Sequence, residues 1–241
     1  MMMTRTTDTS AEPGSLSRRE ALLRMGGVAM LTLGAVPFAI GGSARRAAAQ
    51  GALTPEMIDA LNAMILADYV TEILYEIGLG TSGLIPSGDV AVFQQLHKQE
   101  SAHVVTMNNA LSGNSQPKPG LDFTAGGAYP DVFSNYATYL SLAQAFEDLS
   151  VRLYKGQLGA LVTNGLVLTT VLQIHSVEGR HAAMVRRLRG QKPWIEGASS
   201  DLSGFAAVYA GEDDSAHGMS AAFDEPLSAD AARNVLDPFL V

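Results

Sequence analysis

The chain has 241 residues, of which 16 are basic and 24 acidic, and its formal net charge is −8. Hydrophobic residues make up 47% of the sequence, which predicts a globular protein with a sizeable core and excludes a disordered chain. Cysteine is absent, so disulfides, thiolate metal sites and cysteine nucleophiles are excluded. The acidic balance gives no indication of nucleic-acid binding, which favours basic patches.

The first 49 residues have the pattern of a targeting segment. Arg18 and Arg19 precede an apolar run from about Met25 to Ile40, and the small residues 47–49 follow. The run is short and rich in glycine and alanine, which is typical of a signal peptide rather than a membrane span. Because this order resembles a twin-arginine export signal, we expect residues 1–49 to engage the twin-arginine machinery. The mature chain is then expected to be periplasmic or extracellular and not membrane-spanning.

Two helices are predicted in the first half of the mature chain. Thr54 and Pro55 form an N-cap and a first helical position, and this helix continues to about Gly78. Asp89 opens a second helix, which ends near Leu111. The connection between them is short, so the two helices are expected to be antiparallel.

A long non-helical connection, Asn114–Pro130, is rich in proline and glycine and precedes the second half. A third helix is predicted from about Val132 to Gly159, and a fourth from about Gly165 to Arg189. One long crossover between helices 2 and 3 is a known arrangement of four-helix bundles. We therefore predict an all-α four-helix bundle over residues 50–195, with one long crossover between helices 2 and 3.

Residues 196–241 are predicted to form a C-terminal extension that packs on the bundle. Asp201–Ala210 and Ser228–Leu236 are candidate short helices within it, joined by acidic, glycine-containing loops.

The pattern His-x-x-Glu-x-x-His occurs twice, beginning at His97 and at His175. Each copy contains Glu-x-x-His, so Glu100 shares a helix face with His103, and Glu178 with His181. Carboxylates and imidazoles together suit iron, manganese and zinc. Two such helices, each with an acid-bearing partner helix, form the di-metal carboxylate site of a four-helix bundle.

An internal repeat identifies the partner acids. Glu147 precedes Tyr154 by seven residues, and Asp68 precedes Tyr75 by seven. The two acids are 79 residues apart and the two Glu-x-x-His pairs are 78 apart, so the chain resembles one helix pair written twice. Glu147 and Asp68 are therefore predicted ligands. Glu72, one turn beyond Asp68, remains an alternative because aspartate is one methylene shorter than glutamate.

Four further residues lie beside the predicted ligands. Tyr75 and Tyr154 are expected either to donate hydrogen bonds to carboxylates of the opposite helix pair or to be plain core tyrosines. His97 and His175 lie one turn before each Glu. They are candidates for extra ligands, outer hydrogen-bond donors or proton relays, with ordinary surface or core roles as the alternative.

With these motifs the chain resembles the ferritin-like superfamily, and more closely the exported bacterial ferritin-like domain proteins related to plant desiccation-related proteins. The resemblance is carried by residues 61–63, 68–69, 75, 100–103, 143–149, 154, 178–181 and 223–227. It implies two carboxylate-bridged metal ions, iron ahead of manganese, with oxygen or peroxide as reaction partners, and it allows a homo-oligomer. Asp68 departs from the glutamate usual at that position, which puts the strength of one metal position in question.

Two functions are compatible with this pattern. The first is an exported di-metal protein that oxidises or handles iron, oxygen or peroxide, as a di-iron oxidase, a ferroxidase or a manganese-catalase-like oxidoreductase. The second is a non-catalytic desiccation- or stress-related binding protein with a structural or vestigial metal site. No catalytic residue is predicted apart from the metal site itself.

Overall fold

The computed structural model describes residues 52–195, 201–211 and 223–241. The predicted signal peptide, residues 1–49, lies outside the described residues, as do residues 196–200 and 212–222 of the predicted C-terminal extension. The described structure is all-helical, and four long helices form a four-helix bundle, which confirms the predicted fold class. Among these described residues, no helix has both the length and the apolar character needed to cross a membrane.

The four bundle helices are α1, Pro55–Gly80; α2, Val90–Leu111; α3, Tyr136–Leu161; and α4, Gly165–Leu188. The Thr54 hydroxyl caps α1 by accepting a hydrogen bond from the amide of Met57, and Pro55 follows it as predicted. Helix α2 ends where Ser112 takes a left-handed conformation with φ of 50°.

Helix α3 begins four residues later than the sequence predicts. Asn135 is its N-cap and accepts a hydrogen bond from the amide of Ala137 at 3.0 Å. The preceding residues form turns, in which the Asp131 carbonyl accepts from the amide of Asn135 at 2.8 Å. Val132 is buried in one of these turns. Its apolar character therefore reflects burial of a turn and not the first turn of a helix.

The centre of the bundle lies between α1 and α3. These two helices pack together along their lengths, whereas α2 and α4 approach each other at few points. At one close approach, a Cβ on Gly78 of α1 would lie 2.4 Å from the Tyr139 hydroxyl of α3. Every residue of α3 from Tyr139 to Tyr154 is buried, so α3 is covered on all sides.

The described C-terminal residues cover the outer side of α3. They contain α5, Ala206–Tyr209; α6, Ala229–Leu236; and a 3₁₀ turn, Asp237–Phe239. The first is shorter than the predicted Asp201–Ala210 because residues 201–204 form bends and turns. Arg152 of α3 donates hydrogen bonds to the carbonyls of Glu225, at 2.6 Å, and Ala210, at 2.9 Å. A Cβ on Gly156 would lie 2.0 Å from the Leu227 carbonyl oxygen, so the absence of a side chain permits this contact.

Candidate metal centre

All four bundle helices contribute to one buried cluster of acids and histidines. Helix α1 supplies Asp68, and α3 supplies Glu147. Helix α2 supplies Glu100 and His103, and α4 supplies Glu178 and His181, because a three-residue spacing keeps each pair on one helix face. The four carboxylates are completely buried, and the two imidazoles nearly so. We refer to these six residues as the acid–histidine cluster.

Each histidine reaches the glutamate of the opposite helix pair. His181 Nδ1 lies 2.6 Å from Glu100 Oε1, 3.6 Å from Glu147 Oε2 and 3.9 Å from Glu178 Oε2. His103 Nδ1 lies 2.8 Å from Glu178 Oε1 and 3.7 Å from Glu100 Oε2. The contacts therefore follow the internal repeat: the histidine of α4 meets the glutamate of α2, and the histidine of α2 meets the glutamate of α4.

Four of the side chains can surround one cation. Glu100, Glu147, Glu178 and His181 each offer one ligand atom, and these atoms all lie within 4.8 Å of one another. The set contains three carboxylate oxygens and one imidazole nitrogen, a combination that suits iron and manganese.

The hydrogen bonding of the cluster fits a bound cation. Within the described residues, nine buried side-chain atoms have no hydrogen-bond partner, and all except Tyr139 Oη and Ser150 Oγ belong to the acid–histidine cluster. Two of these atoms, His181 Nδ1 and Glu100 Oε1, lie within ion-pair distance of each other at 2.6 Å. Buried polar atoms are normally satisfied, and buried charges are costly unless they are paired or bind a metal. A cation among these atoms would give them their missing partner.

Burial and mutual repulsion raise the pKa of three of the acids. Burial, and then the charge of Glu100, raises the pKa of Asp68 to about 8. Burial, and then the charges of Glu100 and Asp68, raises the pKa of Glu178 well above its usual range. The pKa of Glu147 is also raised, chiefly by burial. Burial and repulsion therefore shift these acids towards their neutral form when no cation is bound.

Glu100 and His181 behave in the opposite way. Burial opposes the charged form of Glu100, but His103 and His181 lower its pKa to about 2. Burial likewise opposes the charged form of His181, but Glu147 and Glu100 raise its pKa to about 11. Without a cation, Glu100 is ionised and His181 is protonated, so a cation that binds His181 Nδ1 must displace a proton.

Two tyrosines hold the acids of α1 and α3. The Tyr154 hydroxyl donates to Asp68 Oδ2 at 2.7 Å, and the Tyr75 hydroxyl donates to Glu147 Oε1. Each bond crosses between α1 and α3, which is the arrangement expected from the internal repeat rather than that of plain core tyrosines. The second oxygen of each acid remains directed away from its tyrosine and unpartnered.

Three residues considered from the sequence lie apart from the acid–histidine cluster. Glu72 lies one helical turn beyond Asp68 and pairs with Lys118 Nζ at 2.8 Å. His175 Nε2 lies 3.1 Å from the carbonyl oxygen of Val151. His97 is half-buried and makes no hydrogen bond or ion pair with the cluster in the described structure.

Two contacts of the acid–histidine cluster were not anticipated from the sequence. The Thr71 hydroxyl donates to Glu100 Oε2 at 3.0 Å, and Gln99 Oε1 lies 2.8 Å from His181 Nε2. Thr71 follows Asp68 by three residues and so shares its helix face, which was an available signal. Gln99 carries no such signal, because its contact crosses from α2 to α4.

A second acid of α3 was also missed. Asp148 is completely buried and faces away from the cluster, where Arg186 Nε donates to its Oδ1 at 3.0 Å. Tyr209 of α5 donates to Asp148 Oδ2 at 2.8 Å. Burial raises the pKa of Asp148 even though Arg186 opposes the shift.

Comparison with protein families gives a match to the ferritin-like domain. The match covers residues 56–191, which include α1 from Glu56 onward, α2 to α4 and all six residues of the acid–histidine cluster. Comparison with curated protein sequences gives no match.

Proposed function

The chain belongs to the ferritin-like domain family, and from this premise we propose that it is an exported di-metal protein that oxidises or otherwise handles iron, oxygen or peroxide. The observation that carries the proposal is the set of buried, unpartnered carboxylate and imidazole atoms that converge from four helices. An ordinary core does not retain so many buried carboxylate oxygens without hydrogen-bond partners.

The chain's own residues divide into two ligand sets. Glu147 and His181 would hold one ion and Asp68 and His103 the other, while Glu100 and Glu178 face both histidines and would be shared. When bound, iron or manganese would supply one-electron redox chemistry towards oxygen or peroxide.

The surrounding residues would orient the ligands and control protons. Tyr75 and Tyr154 hold one oxygen of each terminal acid, and Thr71 holds one oxygen of Glu100. Complete burial of the acids excludes bulk water from their charges. The proton on His181 Nδ1 has to leave when a cation binds, so metal uptake is expected to weaken as the pH falls.

Anaerobic titration of the metal-free protein with Fe²⁺, followed by addition of oxygen, tests the proposal. We expect two Fe²⁺ ions to bind per chain and the absorbance of ferric iron to grow after oxygen is added. A parallel assay measures the consumption of peroxide by the Mn²⁺-loaded protein. Glu147→Ala should lower the bound metal well below the wild-type stoichiometry, whereas Glu76→Ala, an exposed acid on the same helix as Asp68, should not. Binding without turnover would favour the non-catalytic function, and failure to bind either metal would refute the proposal.

Export is a separate part of the proposal and is supported by the sequence pattern alone. Arg18 and Arg19 precede an apolar run and a small-residue site. We expect Arg18→Lys combined with Arg19→Lys to leave the precursor in the cytoplasm, as fractionation and immunoblotting would show. Normal export of this double variant would remove the assignment to the twin-arginine pathway.

A further inference from the structure

We infer that the two metal positions are unequal: the position of Glu147 and His181 binds a divalent cation first and tightly, and that of Asp68 and His103 binds second and weakly. The inference rests on the proposed function, since it presupposes that the acid–histidine cluster binds two ions. Three independent observations support the same order.

The first observation is the reach of the terminal acids. Asp68 and Glu147 occupy equivalent places in the repeat, and a tyrosine from the other helix pair holds one oxygen of each. The four ligand atoms that converge within 4.8 Å include one from Glu147 and none from Asp68 or His103. With the same kind of anchor and one methylene less, Asp68 has the shorter reach towards the shared carboxylates.

The second observation is the number of potential metal-ligand atoms that have no hydrogen-bond partner. At the Glu147 position, four atoms are unpartnered within the described residues: Glu147 Oε2, His181 Nδ1, Glu100 Oε1 and one Glu178 oxygen, Oε2. At the other position, the free atoms are Asp68 Oδ1, His103 Nδ1 and Glu178 Oε1. Glu100 Oε2 already accepts the Thr71 hydrogen bond on that side. Glu100 is thus directed towards the Glu147 position.

The third observation is the support of the two imidazoles. Gln99 Oε1 lies 2.8 Å from His181 Nε2, so it can accept a hydrogen bond from Nε2–H and leave Nδ1 as the ligand atom. The residue equivalent to Gln99 in the repeat, 78 positions later, is Val177, which has no hydrogen-bonding side chain. In the described structure, no side chain accepts a hydrogen bond from His103 Nε2. Outer partners of this kind change metal affinity by about 10–100-fold.

These observations identify Gln99 as a positioning residue, because it acts on the metal through His181. They also predict that the difference in affinity can be reduced by weakening the first metal position or by strengthening the second. Gln99→Leu should weaken the first position, while Val177→Gln should support His103 and strengthen the second. Asp68→Glu should strengthen the second position by restoring the length found at Glu147.

Titration of the metal-free protein with Mn²⁺ tests the order of binding. Calorimetry would give the two dissociation constants, and electron paramagnetic resonance would distinguish an isolated Mn²⁺ ion from a coupled pair. The wild type should bind in two phases whose dissociation constants differ by at least about 10-fold, which is the lower end of the effect of one outer partner. The spectrum at one equivalent should be that of an isolated bound ion, and coupling should develop only with the second equivalent.

The variants assign the phases. Gln99→Leu should raise the dissociation constant of the first phase by about 10–100-fold, and Val177→Gln should lower that of the second phase while the first is unchanged. Val177→Leu is the matched control, since it changes volume at the same place without supplying a polar group. Asp68→Glu reports on the second phase independently, so the test does not depend on one variant. Circular dichroism confirms that each variant is folded before titration.

Two equal phases in the wild type, or a coupled spectrum at less than one equivalent, would overturn the inference and leave the proposed function standing. The inference would also fail if Asp68→Glu or Val177→Gln strengthened the first phase instead of the second. Absence of any Mn²⁺ or Fe²⁺ binding would refute the proposed function itself, so the two failures are distinguishable.

Discussion

Replacing Glu178 with glutamine is expected to stabilise the metal-free protein and to remove most of its stabilisation by metal. Glu178 is completely buried, and neither of its carboxylate oxygens has a hydrogen-bond partner in the described structure. Its neighbours Glu100, Asp68 and Glu147 all raise its pKa, in addition to burial. Glutamine has nearly the same shape as the protonated acid and needs no proton to stay neutral, and its amide oxygen is a much weaker metal ligand than a carboxylate.

The magnitude follows from the proton that the buried carboxyl group keeps. Keeping it costs about 1.4 kcal/mol for each unit by which the pH exceeds the unfolded-state pKa, and glutamine avoids this cost. We therefore expect the free energy of unfolding of metal-free Glu178→Gln to rise by about 1–3 kcal/mol near neutral pH. For a domain of this size, 1 kcal/mol corresponds to roughly 2–4 °C in Tm.

The effect should depend on pH with a definite sign. The folded-state pKa of Glu178 is raised above its ordinary value of 4.5, so the folded chain keeps a proton that the unfolded chain releases. The stability of the metal-free wild type therefore contains a term that falls as the pH rises above 4.5, and Glu178→Gln lacks this term. Glu100, with a pKa of about 2, contributes in the opposite sense: its stabilisation is present above 4.5 and is lost as the pH falls through 2.

Thermal and urea unfolding with and without Mn²⁺ measure both expectations. A single ion present at 100 times its dissociation constant stabilises the wild type by about 2.7 kcal/mol, which is roughly 5–10 °C, and the variant should lose most of this shift. Glu76→Gln is the matched control because it makes the same chemical change on an exposed side chain. A less stable metal-free Glu178→Gln that keeps the full Mn²⁺ shift would show that Glu178 is a structural residue.

Three further substitutions test the surroundings of the acid–histidine cluster. Tyr154→Phe removes the hydrogen bond to Asp68 and should lower affinity at that metal position about 10–100-fold in a Mn²⁺ titration while circular dichroism stays unchanged. Arg186→Met leaves Asp148 buried without its ion-pair partner and should lower the free energy of unfolding by about 3–5 kcal/mol in urea, so a loss below 1 kcal/mol would contradict a buried pair. Gly156→Ala places a Cβ against a backbone carbonyl of the C-terminal residues and should make those residues more sensitive to limited proteolysis.

The sequence predicted the fold because helix periodicity, caps and the length of the connections all indicate the same bundle. It predicted that Glu100, Glu147, Glu178 and His181 would lie together because the internal repeat fixes the register of each helix pair. The choice between Asp68 and Glu72 could not be made from spacing alone. In the structure Asp68 lies in the acid–histidine cluster, whereas Glu72 pairs with Lys118 of the long crossover connection.

The contacts that the sequence did not predict share one physical cause. Gln99 meets His181 across α2 and α4, and Asp148 meets Arg186 of α4 and Tyr209 of α5. None of these contacts repeats along one helix, so no periodic pattern marks them. The beginning of α3 was misplaced for a related reason, because an apolar residue buried in a turn has the same composition as one in a helix.

The adjacent acids Glu147 and Asp148 of α3 have opposite environments, and the C-terminal residues supply part of the environment of Asp148. Glu147 faces the interior of the bundle with one oxygen unpartnered, whereas Asp148 faces outward and is satisfied by Arg186 and Tyr209. Without α5, the outer side of α3 would lose the tyrosine that donates to Asp148. Three backbone carbonyls of the C-terminal residues, those of Val208, Ala210 and Glu225, accept from the buried guanidinium of Arg152. The C-terminal residues thus fix α3 from outside, which gives Glu147 a rigid support against the repulsion of the other buried acids.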